Sequence, residues 1–77
     1  MQKETDMKHM DFLNKVERYR EATGQRLGQA MFNILSDQDL QLADLIRSTD
    51  ADPYYTNERI PKFLEVLHDQ GFITFDD

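Results

Sequence analysis

Apolar positions recur at helical spacing from Asp11 onward. Phe12, Val16, Tyr19 and Thr23 fall at i, i+4, i+7 and i+11, with Asp11 placed to charge the first turn and Gly24 suited to a stop, which predicts a helix over 11–23. Leu27, Ala30, Met31, Ile34 and Leu35 follow at i, i+3, i+4, i+7 and i+8, the most regular stripe in the chain, and predict a second helix over 25–35. Gly28 lies inside that stripe, where glycine costs about 1 kcal/mol relative to alanine. A second backbone is therefore expected close to it. Ser36 and Asp39 resemble a capping box with aspartate in place of glutamate, predicting a third helix through Leu40, Leu42, Ala43, Leu45 and Ile46. Its wide apolar arc predicts a central position.

The periodicity then stops. Asp50-Ala51-Asp52-Pro53-Tyr54-Tyr55-Thr56-Asn57 combines a proline with residues that bond their own backbone, and reads as a loop. A fourth helix is predicted from near Glu58, with Pro61 tolerated in its first turn, Ile60, Phe63, Leu64 and Leu67 on one face, and Gly71 as its stop. Phe72-Ile73-Thr74-Phe75 is β-prone but short, and nothing downstream remains to pair with it. It is expected to dock as an extended tail over the core or to pair with another chain. Residues 1–10 are polar and aperiodic, and a flexible start is expected there. The predicted fold is thus all-α, a compact four-helix domain over 11–77 with a short extended C-terminal tail. Its expected core is Leu27, Met31, Ile34, Leu35, Leu42, Leu45, Ile46, Phe63, Leu64 and Leu67.

Composition narrows the function. With 77 residues, one small domain is the ceiling, and a deep active-site cleft is not expected. The absence of cysteine excludes a disulfide scaffold, a thiolate zinc site and cysteine catalysis. No apolar run approaches the roughly 18 residues of a spanning helix, and no apolar stretch of signal-peptide type opens the chain, so a cytoplasmic location and no membrane association are expected.

The formal net charge is −6, and it is uneven. Residues 1–35 carry six bases and five acids, whereas residues 36–77 carry three bases and ten acids, giving +1 and −7. That field repels phosphates, so direct nucleic-acid binding is not expected. Lys15, Arg18 and Arg20 are interleaved with Glu17 and Glu21, and read as a solvated face with ion pairs at helical spacing.

Motifs for chemistry are weak. His9 and His68 lack histidine partners at i+3 or i+4, and Asp50-x-Asp52 has neither the glycine nor the glutamate of a calcium loop, so no metal or cofactor is expected. No nucleophile elbow or Gly-rich phosphate loop is present, and the chain is not expected to be an enzyme. Leu64 to Ile73 resembles the last helix and first wing strand of winged-helix domains, yet it presents Glu65 and Asp69 where a groove-reading helix carries bases or amides.

Two surface constellations remain. Arg26, Gln29 and Asn33 share the polar face of the second helix, and the loop places Tyr54 and Tyr55 beside Asp50, Asp52 and Arg59. Tyrosine and arginine dominate binding hot spots because they bury large areas while still hydrogen bonding. One tyrosine of such a pair is expected to lid the core and the other to face a partner.

The order Arg26-Leu27-Gly28-Gln29-Ala30, Leu42-Ala43-Asp44-Leu45-Ile46-Arg47-Ser48-Thr49, Asp52-Pro53-Tyr54-Tyr55 and Ile60-Pro61-Lys62-Phe63-Leu64 resembles short uncharacterised proteins encoded by bacteriophages and prophages. The likeness spans residues 11–68 and carries no assigned activity. It implies a small accessory protein acting in the host cytoplasm. The expected role is binding of a host or phage protein. An acidic DNA-mimicking inhibitor and a degenerate winged-helix regulator are the alternatives. Self-association as a homodimer is also expected, through the strand-like Phe72–Phe75 segment.

Overall fold

Several helix ends fall where local chemistry stops the chain. In the computed structural model, which describes residues 7–75, the chain runs β1 (Met7–Lys8), α1 (His9–Thr23), α2 (Leu27–Gln38), α3 (Leu40–Ile46), α4 (Ile60–Asp69) and β2 (Ile73–Thr74). Gly24 closes α1 in the left-handed region, at φ 74°, and its N–H donates to the Arg20 carbonyl at 2.7 Å. A second left-handed glycine, Gly71 at φ 79°, ends α4. There the Phe72 N–H donates to the Leu67 carbonyl (2.9 Å) and the Gly71 N–H to that of His68 (3.0 Å), the pairing of a Schellman stop. Thr56 opens a 3-10 turn, Asn57–Arg59, through its hydroxyl, and the turn runs into α4 with Pro61 near its start. On α1 the expected ion pairing is present between Glu17 and Arg20, at 3.2 Å and largely exposed.

The junction between α2 and α3 differs from the predicted capping box. Ser36 lies inside α2, and Asp39 is the residue that turns the chain. Its N–H closes α2 on the Leu35 carbonyl (2.7 Å), while its carboxylate accepts the Leu42 N–H (3.1 Å) to open α3. One extended residue serves both helices, so no four-residue box is needed.

The core is built from Phe12 and Val16 of α1, Ala30, Met31, Phe32 and Leu35 of α2, Leu42, Ala43 and Ile46 of α3, Phe63 and Leu67 of α4, and Phe72 and Ile73. Packing of α2 against both α1 and α3 makes it the central element. Leu27, Ile34 and Leu64 are half-buried at the edge of this core. Leu45 does not belong to it, being 68 % exposed. Seven residues give α3 one buried stripe, Leu42, Ala43 and Ile46, and Leu45 lies about 60° beyond Leu42 on the side away from Ala43.

The tail finds its partner upstream. β2 pairs with β1 in parallel register, Met7 with Ile73 and Lys8 with Thr74, and the Met7 N–H donates to the Phe72 carbonyl at 3.1 Å. The expected boundary at residue 10 moves, because Met7–Lys8 is strand and His9 opens α1, while residues 1–6 lie outside the described residues. Ile73–Thr74 is paired along one edge within the chain, so the segment is not the wholly unpaired strand from which a homodimer is expected. Phe72 anchors the arrangement by setting its ring edge-on to Phe12, with centroids 5.8 Å apart.

Candidate functional site

The loop after α3 is folded around one carboxylate. Ser48 takes a left-handed φ of 65°, uncommon for a residue with a side chain. It is held there by Asp52, whose Oδ2 accepts the Ser48 N–H at 2.7 Å while Oδ1 accepts the Tyr54 N–H at 2.9 Å. The Asp52 N–H donates to the Thr49 carbonyl (3.1 Å), and the Thr49 hydroxyl donates to the Ile46 carbonyl and accepts the Ala51 N–H. Asp52 is 2 % exposed, so the residue read from sequence as part of a partner surface is an internal brace. Both of its oxygens are occupied by the chain's own backbone. Asp52→Ala is expected to lower stability by about 1–3 kcal/mol, because two N–H donors lose their charged acceptor. Urea unfolding measures this, and a loss below that range would mean that water replaces the carboxylate.

The braced loop is clamped onto α2, which joins the two surfaces that the sequence presents separately. The guanidinium of Arg26 donates to the Tyr54 carbonyl and to Asn57 Oδ1, the latter at 3.1 Å. Asn57 Oδ1 also accepts the Gly28 N–H at 2.9 Å. That donor belongs to the first turn of α2, where Arg26 supplies no side-chain cap. Gln29 reaches the Tyr54 hydroxyl at 3.4 Å, and Arg59 donates to the Thr49 carbonyl at 3.1 Å. Gly28 is where the loop comes nearest: a Cβ there would overlap the Pro53 carbonyl oxygen. The close backbone approach predicted at this glycine is therefore that of Pro53.

The two tyrosines occupy different environments. Tyr54 is half-buried with its ring edge-on to Phe32, centroids 6.0 Å apart, whereas Tyr55 is 78 % exposed and leans on Tyr54 at 5.0 Å and 65°. Beside them runs a groove of about 350 Å³, lined by Phe32, Asn33, Ser36, Arg47, Tyr54 and Tyr55 among others. Arg47 lies over the Phe32 ring at 5.3 Å and pairs with Asp44 at 3.0 Å. Asn33 contributes to the groove wall but not to the clamp, because its amide donates to Gln25 Oε1. Asp50 is exposed on the loop without a role in the bracing bonds.

Asn57 is a clamp residue that local sequence patterns do not reveal. Its only local signal is its position in the turn before α4, and the N–H it caps lies 29 residues earlier.

The histidines meet at the tail. Phe75 stacks on His68 at 5.0 Å and receives the edge of His9 at 4.9 Å. Among the described residues no group of three or more His, Cys, Asp or Glu side chains is placed to hold a metal ion.

Fold and site together define a small, mainly helical domain that carries an aromatic loop clamped across the start of a helix. No protein-family model matches the chain, nor does any curated protein or solved structure. Among the described residues no helix is long and apolar enough to cross a membrane.

Proposed function

We propose that this chain is a protein-binding module that engages a partner through Tyr55 and the adjoining groove. The observation that carries the reading is a 78 % exposed tyrosine on a loop already fixed by Asp52, Arg26 and Asn57. A rigid aromatic gives large contact area, and a pre-ordered loop has little conformational entropy left to lose on binding. The resemblance to phage-encoded proteins makes a host or phage protein in the host cytoplasm the partner class for this reading. Within it, Tyr54 is scaffold and Tyr55 is contact. Arg59 supports the loop through Thr49 rather than reaching outward.

The alternatives draw less support. A DNA mimic needs free carboxylates aligned like phosphates, and here Asp52 is buried and Asp44 is ion-paired. A wing needs an antiparallel hairpin after the last helix, whereas β2 pairs in parallel with a strand from the N-terminal side of α1.

The experiment compares capture of a partner from host lysate by the parent protein, Tyr55→Ala and Tyr54→Ala. Tyr55→Ala is expected to lose a stoichiometric partner while its stability stays within about 0.5 kcal/mol of the parent. Tyr54→Ala is expected to cost about 1–3 kcal/mol, less than a fully buried ring, because part of the residue stays in contact with solvent. Full capture by Tyr55→Ala would reduce the loop to a connector.

A further inference from the structure

The groove beside Tyr55 shares two α2 residues with a second furrow. Asn33 and Ser36 line both, and the second, of about 580 Å³, is bordered by Tyr19 of α1, Ile34 and Asp37. The chain has three tyrosines, and all of them border this one face of α2. Among the described residues Ile34 is its lone aliphatic lining side chain, so the face lacks the apolar trough into which an amphipathic helix lays its anchors.

Aromatic rims around a hydrogen-bonding ridge suit a different occupant. A polyproline-type segment leaves its carbonyls unpaired, packs its pyrrolidine rings on aromatic faces and is already ordered before it binds. Asn33 uses one amide hydrogen on Gln25, which leaves its second as a donor, and Ser36 adds a hydroxyl. Charge selects the flanking residue. Asp37 is exposed at this face and takes part in no ion pair among the described residues, while Arg47 is paired with Asp44. The −7 of residues 36–77 adds the same bias.

We infer that this face binds an extended, proline-containing segment of a partner protein that places an arginine or lysine against Asp37. The inference deepens the protein-binding reading and rests on it. Phosphate-bearing strands could also stack bases on tyrosine, but they meet Asp37 and the net negative charge.

The test titrates isotope-labelled full-length protein with four probes, followed by the backbone amide signals. They are a proline-rich peptide ending in arginine, the same peptide ending in glutamate, an amphipathic leucine–lysine helix and oligothymidylate. Saturable shifts at Tyr19, Asn33, Ser36, Asp37 and Tyr55 are expected with the arginine-ended peptide, and weaker ones with the glutamate-ended peptide. Tyr55→Ala should weaken that binding about tenfold or more, and Asp37→Asn should erase the preference for arginine. Absence of saturable shifts, shifts confined to another face, or tighter binding of the helix or the oligonucleotide overturns the inference. If the proline peptides fail while Tyr55→Ala still abolishes partner capture, the occupant is wrong and the protein-binding reading stands. If Tyr55→Ala leaves capture intact, that reading falls as well.

Discussion

Replacing Phe72 with alanine is expected to remove about 3–5 kcal/mol of stability, out of a total of roughly 4–12 kcal/mol for a domain of this length. The ring is 3 % exposed and sits edge-on to Phe12, itself fully buried. It follows the Schellman stop of α4 and its carbonyl holds the Met7 N–H, so it joins the end of α4 to the start of α1. Truncation leaves a cavity between those elements and loosens the β1–β2 pair at the same time. The melting temperature should fall by about 15–30 °C. Phe75→Ala, at a ring 48 % exposed, is the control and should cost much less. Thermal and urea unfolding of the two variants measure the difference. A Phe72→Ala loss below about 1 kcal/mol would mean that the tail is dispensable to the core.

Gly28→Ala is the second large effect, and two rules disagree on its sign. Helix propensity favours alanine, by up to about 1 kcal/mol in a helix interior and less in the first turn, where Gly28 sits. Packing opposes it, because the added Cβ overlaps the Pro53 carbonyl oxygen and approaches Asn57 Oδ1 at 2.9 Å. The Cβ is fixed rigidly to the α2 backbone and the atom it meets is main chain, so relief requires the loop to lift from α2. That movement breaks the bond from the Gly28 N–H to Asn57 and strains those from Arg26. The expected net loss is about 2–4 kcal/mol, combining overpacking with an unsatisfied donor. Asn57→Ala removes the acceptor without the clash and should cost less. Partner capture should weaken in Gly28→Ala although no contact residue is changed, because Tyr55 rides on the displaced loop. A stabilised Gly28→Ala variant would show that the loop has room to shift.

Local patterns along the chain make all four helices legible. The stripe Leu27 to Leu35, the stops at Gly24 and Gly71, and the proline near the start of α4 each express a preference spanning one or two turns of backbone. Gly28 is legible for a related reason, since a costly residue inside a regular stripe implies a steric demand. Where two local signals compete, the expected boundary is off by a few residues. Ser36 and Asp39 could each cap a helix, and only the course of α2 through Gln38 selects Asp39. Leu45 shows the limit of periodicity, because a wide apolar arc on a short helix does not say which part of the arc meets a neighbour.

Chain order thus specifies the helical elements, most of the apolar face of each, and the presence of a tyrosine-rich loop. Folding adds that Asp52 is an internal brace, that Tyr54 is half-buried while Tyr55 is exposed, and that Ile73–Thr74 pairs with Met7–Lys8. It also brings Arg26 and Asn57, 31 residues apart, into a hydrogen bond that fuses two candidate surfaces into one. Helix periodicity and capping are contacts between near neighbours along the chain, and so they are written in order. A carboxylate, an amide or a strand edge can satisfy its hydrogen bonds with any group that folding brings within about 3 Å, and chain order does not rank those partners.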